Sequence, residues 1–178
     1  MKQNVFNEGI KYGVIGGLIF LLINFGAWGI GGTAIFVSVI GISSFVPYVI
    51  VMLIIAGLSL RKRNNNVLTF KDALKFVFVA YIVIAITEAI GNYVLFNLLD
   101  SELTAKVFEI SKEKALKMME KFGATEEQID DAMKKMDAEA KQTTFKTIFL
   151  GLGTSIVWNF VKSLLIALAI RKEEKFAE

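Results

Sequence analysis

Residues 12–60 read YGVIGGLIFLLINFGAWGIGGTAIFVSVIGISSFVPYVIVMLIIAGLSL, which is 49 residues without one Asp, Glu, Lys or Arg. About 20 apolar residues are enough to cross a bilayer, and one helix of this length would extend about 74 Å. The stretch therefore predicts an integral membrane protein with two membrane helices in this region. We place the first at 12–34 and the second at 43–60. The break falls between Trp28 and Ser44, where four glycines loosen the helix, and Pro47 lies near the start of the second span.

Two further apolar segments complete the predicted bundle. The third span covers 76–99, after an amphipathic entry at 68–75, and Glu88 is its single charged residue. The fourth span covers 147–170, and its single charged residue is Lys162. The expected fold is all-α: a polytopic membrane protein with four transmembrane helices. Its segments are a membrane domain at 1–99, an inserted segment at 100–146, and the last span with its tail at 147–178.

The inserted segment, 100–146, is rich in charge and has a helical apolar pattern. Gly123 suits the position after a helix C-terminus, and Thr125-Glu126-Glu127-Gln128 has the form of a capping box. The segment therefore predicts a helical hairpin. Its facing apolar side chains are expected to be Ile110, Met118 and Phe122 on one helix and Ile129, Met133 and Met136 on the other.

The distribution of charge predicts an orientation. The loop at 61–75 and both ends of the chain carry a net charge of +5, whereas the hairpin carries −2. Because Lys and Arg accumulate in cytoplasmic loops, we expect both termini to be cytoplasmic and the hairpin to be extracytoplasmic. The sequence pI near 9.0 then reflects membrane topology, and we expect no nucleic-acid partner.

The chain has no His and no Cys, which removes thiol nucleophiles, Ser-His catalysis and the usual zinc ligand sets. The predicted spans also contain no Asp for intramembrane proteolysis. We therefore expect a non-enzymatic protein without a cofactor or a metal site.

Glu88 and Lys162 are the strongest candidates for a functional site. A charge at the centre of a bilayer costs about 2.5–3.5 kcal/mol on insertion scales, so the two are expected to form an intramembrane ion pair. The alternative is that Lys162 reaches the cytoplasmic interface and Glu88 is protonated. A pair would either lock helix packing or serve transport. Further polar side chains lie on the same helix faces as Glu88 and Lys162 and form a polar stripe with them. This stripe either forms hydrogen bonds between helices or lines a hydrated path, and its members are Tyr81, Asn92, Ser155 and Asn159.

Gly9, Gly13 and Gly17 follow each other at four-residue steps into the first span. Such spacing lets a second helix approach closely. We expect this contact inside the bundle rather than between copies, although a homo-oligomer remains open.

The order of several motifs resembles the domain-of-unknown-function family DUF4199, a family of small bacterial membrane proteins. The elements that carry the resemblance are Lys11-Tyr12-Gly13, Leu58–Arg61, the polar turn and entry segment NNNVLTFKDALK at 64–75, Glu88, Phe122–Ile129 and Ala167–Lys172. The resemblance implies four spans with a long insertion before the last, and it implies no reaction.

These observations predict a multi-pass protein of the bacterial inner membrane. Its expected role is that of an accessory or scaffold subunit that presents the hairpin outside the cytoplasm to another membrane or envelope protein. The alternative is a small carrier or channel component that uses Glu88 and Lys162.

Overall fold

The computed structural model describes residues 4–45, 47–140 and 145–173. Every regular element within these ranges is helical, as the sequence predicted. The elements are α1 (Val5–Ile30), α2 (Thr33–Phe45), α3 (Tyr48–Arg63), α4 (Phe70–Tyr93), a π-helix (Val94–Leu99), α5 (Leu103–Lys121), α6 (Glu126–Ala140) and α7 (Phe145–Ile170). Residues 141–144 of the predicted insertion lie outside the described residues. So do Lys2 and Lys175, two of the lysines counted on the predicted cytoplasmic side.

Three of the described helices are long and apolar enough to cross a membrane: α1, α4 with its π-helical extension, and Gly151–Ile170 of α7. The pair α2 and α3 qualifies only when taken together, with a bend of 42° between its two parts. The fold is therefore compatible with a membrane protein, with three spans or up to four.

The connection between the first two predicted spans differs from the expected loop. Gly31 and Gly32 alone make the turn, with φ angles of +109° and +86° that side chains rarely adopt. The chain then resumes a helix at Thr33, so that residues 35–42 are helical. The interruption comes later, and α3 begins immediately after Pro47, whose ring cannot continue a helix and which has no N–H to donate.

Helix α4 begins at Phe70, earlier than the expected 76, because Thr69 caps it. The backbone N–H of Asp72 donates to Thr69 Oγ1 at 3.2 Å, and the Thr69 hydroxyl donates to the Asp72 carboxylate at 3.0 Å. This reciprocal pair satisfies an N–H that the helix leaves free at its start. The amphipathic entry segment is thus the first turn of the helix itself.

The glycines of α1 pack directly against α4. A Cβ added at Gly13 would lie 2.6 Å from Cβ of Val83, and one added at Gly17 would lie 2.8 Å from Cβ of Thr87. Gly9 likewise faces Val79. Because residue numbers rise together along the contact, α1 and α4 run parallel. The glycine contact therefore lies within the chain.

Helix α7 runs antiparallel to α4. Leu68, just before α4, and Lys172, just after α7, exchange two backbone hydrogen bonds of 2.8 Å. Further along, the rings of Phe78 and Phe160 meet edge to face, 5.3 Å apart. An apolar cluster from α3, α4 and α7 fills this end of the bundle.

The lysines and arginines of the predicted cytoplasmic side gather at this same end. Arg61 donates to the carbonyl of Ile170 at 3.2 Å, closing the end of α7. Arg63 forms a salt bridge with Glu8 of α1 at 2.9 Å. We call this the basic end.

The opposite end has its own apolar cluster, with Ala27, Phe36, Leu95 and Leu103 at its centre. It joins α1, α2, the π-helix and the start of α5. The indole N–H of Trp28 donates to the carboxylate of Asp100 at 3.3 Å. Helix α5 therefore starts from the end of the bundle that lies opposite the basic end.

We predict that Gly13→Ala lowers the melting temperature in detergent. The new methyl group has no room against Val83, and such overpacking costs about 1–3 kcal/mol. Gly26→Ala is the matched control, because a Cβ at that position of the same helix meets nothing within 4 Å. Equal melting temperatures for the two variants would contradict the close packing of α1 on α4.

Candidate functional site

Glu88 and Lys162 do not touch: Glu88 is half-buried, whereas Lys162 is exposed on the surface of α7. Among the described residues no ion pair joins Glu88 and Lys162; the Lys162 ammonium instead donates to Asn159 Oδ1 at 3.4 Å and lies 5.9 Å from the centre of the Tyr81 ring. The antiparallel register of α4 and α7 places Lys162 level with Tyr81. Glu88 is two helical turns further along α4, an axial distance of about 10 Å. This differs from the direct ion pair expected from the sequence.

The predicted polar stripe is only partly assembled. Lys162, which is exposed, lies beside Asn159 and the ring of the buried Tyr81 at the edge of the contact between α4 and α7. Asn92 is half-buried and Ser155 is exposed, and no hydrogen bond of the described side chains joins either to Lys162. The stripe instead includes Ser163, which sequence reasoning missed.

Two groups of this region have distinctive environments. The Tyr81 side chain is only 4% exposed, and its hydroxyl has no hydrogen-bond partner among the described residues. Ser163 is fully buried but donates to the Asn159 carbonyl at 2.6 Å, so its hydroxyl is satisfied within α7. A buried hydroxyl without a partner is costly, which marks Tyr81 as the least satisfied polar group of the cluster.

Neither Tyr48 nor Tyr81 forms a hydrogen bond with Glu88 in the described part of the chain. Tyr48 also borders an open apolar groove of about 600 Å³ between α1 and α3. The groove is lined by Tyr12, Pro47, Tyr48, Val51, Met52, Ile55, Ala56 and Ser59.

The second candidate region is the pair of helices α5 and α6 with the turn between them, which we call the hairpin. Gly123 has φ +76°, and the N–H groups of Gly123 and Ala124 donate to the carbonyls of Glu120 and Met119. These two bonds form a Schellman motif, which closes the C-terminus of α5. Sequence reasoning had identified the glycine of this motif.

The capping box expected at the start of α6 is present. The Thr125 N–H donates to Gln128 Oε1 at 3.0 Å, and the Gln128 N–H donates to Thr125 Oγ1 at 3.3 Å. The two helices are joined further by Lys112, whose ammonium lies 2.8 and 2.9 Å from the two carboxylate oxygens of Asp137. This hydrogen bonding raises the pKa of Lys112 above its usual value.

The predicted contact face of the hairpin needs correction at three positions of α5. Ile110, Ile129, Met133 and Met136 are half-buried, but Met118 is 57% exposed and Phe122 is 80% exposed. The side of α5 that faces α6 is centred on Lys112, and a helix turns by 100° per residue, which brings Met119 to that side rather than Met118. Ile110 is two residues from Lys112, a rotation of about 200°, and so lies on the opposite side of α5. Ile110, Met118 and Phe122 therefore do not lie between the helices.

The hairpin is also attached to the bundle by contacts that the sequence did not reveal. Lys114 of α5 donates to the Ser38 hydroxyl of α2 at 3.0 Å. Val107 packs against the apolar cluster that contains Leu103 and Phe36. Lys114 and Ser38 are 76 residues apart, and Ser38 was expected to lie in the break between the first two spans, so no local pattern could have paired them.

Carboxylates do not gather into a cation site in the described part of the chain. No group of three or more His, Cys, Asp or Glu side chains there could hold a metal ion.

We predict that Lys162 is energetically coupled to Tyr81 more strongly than to Glu88. A cation over an aromatic ring contributes about 0.5–2 kcal/mol. A double-mutant cycle of Lys162→Met and Tyr81→Leu, measured by thermal melting in detergent, should give a coupling energy of this size. The double-mutant cycle of Lys162→Met and Glu88→Gln should give a smaller coupling energy. Tyr81→Phe retains the ring, so it should preserve the coupling between position 81 and Lys162. A larger coupling between Lys162 and Glu88 would contradict this geometry.

Comparison with known families identifies the chain. No curated protein and no solved structure matches it significantly. The family model described as "Protein of unknown function (DUF4199)" matches residues 11–172, which is most of the chain and includes both the bundle and the hairpin. The resemblance noted in the sequence is thereby confirmed, and the chain belongs to the DUF4199 family.

Proposed function

We propose that this protein is a non-catalytic, four-span membrane protein that holds the hairpin outside the cytoplasm as a docking element for another membrane or envelope protein. In this arrangement the basic end and both termini face the cytoplasm of a bacterial cell. The observation that carries the proposal is the hairpin itself: a capped helical unit attached to the end of the bundle opposite the basic end.

The parallel packing of α1 and α4 supports the four-span arrangement. Because α1 and α4 are parallel and start at the same end of the bundle, the chain between them must cross the bundle back to that end. That return consists of α2 and α3, and the contact between Arg63 and Glu8 brings its end back to the start of α1. We therefore interpret α2 and α3 as one bent span.

The hairpin has the properties that a docking element needs. Both of its helices have capped ends at the turn, and Lys112–Asp137 joins them. Lys114 and the cluster around Leu103 fix its base on the bundle. A segment held at so many points offers a partner a defined surface and loses little conformational entropy on binding. The absence of His and Cys supports a non-catalytic role.

Site-specific photo-crosslinking in intact membranes tests this function. A photoreactive residue at Lys135, on the exposed side of α6, should give one discrete adduct with another protein. The same probe at Leu22, a 74% exposed position of α1, should not. The adduct should disappear in Gly123→Val, which cannot adopt the φ of the turn, and persist in the neighbouring control Ala124→Val. Equal, diffuse labelling at both probe sites would contradict a docking role.

A carrier or channel role for the bundle is the second candidate, and one observation favours it. Glu88 lies within α4, and two turns away the buried Tyr81 hydroxyl has no hydrogen-bond partner among the described residues. Polar groups left unsatisfied inside a membrane domain are typical of ion or proton paths. Ion flux through proteoliposomes of the pure protein, lost in Glu88→Gln, would favour this role over docking.

A further inference from the structure

The side of α5 that rests on the bundle continues beyond it. Leu103 and Val107 pack in the apolar cluster with α2, and Lys114 bonds to Ser38. Met118 and Phe122 follow on the same side of the helix, at steps of four residues. No described residue covers them, and they are among the most exposed large apolar side chains of the hairpin.

The length of this contact determines how α5 runs. It extends from Leu103 to Lys114, which is about 16 Å of helix axis at 1.5 Å per residue. A helix projecting straight away from the bundle would leave it after one or two turns. Helix α5 therefore crosses the end of the bundle, and its last two turns continue sideways past α2 at about the same level.

Charge is divided between the two flanks of α5. Lys114, Lys117 and Lys121 lie on the side that faces the bundle, next to Met118 and Phe122. The acidic residues Glu109, Glu113 and Glu120 lie on the other flank. Lys117 also forms a salt bridge with Glu113 at 2.6 Å, across the boundary between the flanks.

We propose that the end of α5 is a lipid-binding surface, on which Met118 and Phe122 enter the outer interface of the bilayer and Lys114, Lys117 and Lys121 lie near the phosphates of anionic lipids. Helices that lie in a membrane interface bury apolar side chains in the bilayer, and lysines on their polar face are attracted to anionic lipids. The lysine stems also contribute apolar length while their ammonium groups remain in the headgroup layer. The continuity with α2, whose Ile35 and Ile42 are exposed in an apolar helix, favours lipid over a protein partner.

This surface rests on the proposed membrane arrangement and extends it. With α5 held against lipid, the exposed side of α6 is the part of the hairpin that remains available to a partner. The hairpin would then lie flat along the membrane, with α6 outermost.

Spin labels can test the surface in the full-length protein, because the chain has no native Cys. Single cysteines at Phe122 and Glu127 are labelled, and the protein is placed in nanodiscs of phosphatidylcholine with phosphatidylglycerol. Collisions with oxygen, which concentrates in lipid, are compared with those of a water-soluble nickel chelate. We expect the label at 122 to collide more often with oxygen, and less often with the nickel chelate, than the label at 127. Equal accessibility at the two positions overturns the proposal.

A label at Leu22 separates failure of this inference from failure of the membrane arrangement. If position 22 is not exposed to lipid, the membrane assignment itself is wrong. If position 22 is in lipid but 122 is exposed to the nickel chelate, only the lipid-binding surface is wrong. Protection of position 122 from both reagents would indicate a contact with a second copy and would also overturn it.

The lysines are tested by changing the lipid. Replacing phosphatidylglycerol with phosphatidylcholine should increase the collisions of the label at 122 with the nickel chelate. The double variant Lys117→Gln, Lys121→Gln should remove this dependence on anionic lipid. A lipid dependence that is unchanged in the double variant would contradict the role of the lysines.

Discussion

The close, parallel packing of α1 on α4 is the constraint on which the rest of the structure depends. Glycines at four-residue steps leave no side chain of α1 on this face, and Gly13 and Gly17 lie directly against the side chains of Val83 and Thr87. Dispersion contacts across such a surface are numerous, and in an apolar surrounding they drive helix association. Once this pair is parallel, the chain between them has to return. The bent pair of α2 and α3 provides that return within 31 residues, Thr33–Arg63.

The same constraint determines where the remaining segments are attached. Because α4 ends where α1 ends, α5 starts beside Trp28 and Asp100, and α7 brings the chain back to the basic end. One end of the bundle therefore gathers Arg61, Arg63 and the ends of α3 and α7, and the other carries the hairpin. The two ends therefore differ in charge and in the elements they carry, and this difference follows from topology.

The sequence predicted local features well and long-range contacts poorly. The capping box at Thr125 and the left-handed turn at Gly123 depend on neighbouring residues, and both are present. The direct contact of Glu88 with Lys162 depended on the axial register of two helices, which hydropathy does not determine to within two turns. Residues 35–42 were placed between the first two spans because four glycines were expected to loosen the helix, whereas Gly31 and Gly32 suffice for the turn. The attachment of Lys114 to Ser38 could not be predicted without α2.

Side-specific labelling of single cysteines tests the central claim, which is that the basic end and the hairpin lie on opposite sides of a membrane. Lys71→Cys lies at the exposed start of α4, and Glu127→Cys lies at the exposed start of α6. In intact cells or sealed vesicles, a membrane-impermeant maleimide should label position 127 from outside and position 71 only after the cytoplasmic face is opened. Labelling of both positions from the same side would contradict the four-span arrangement.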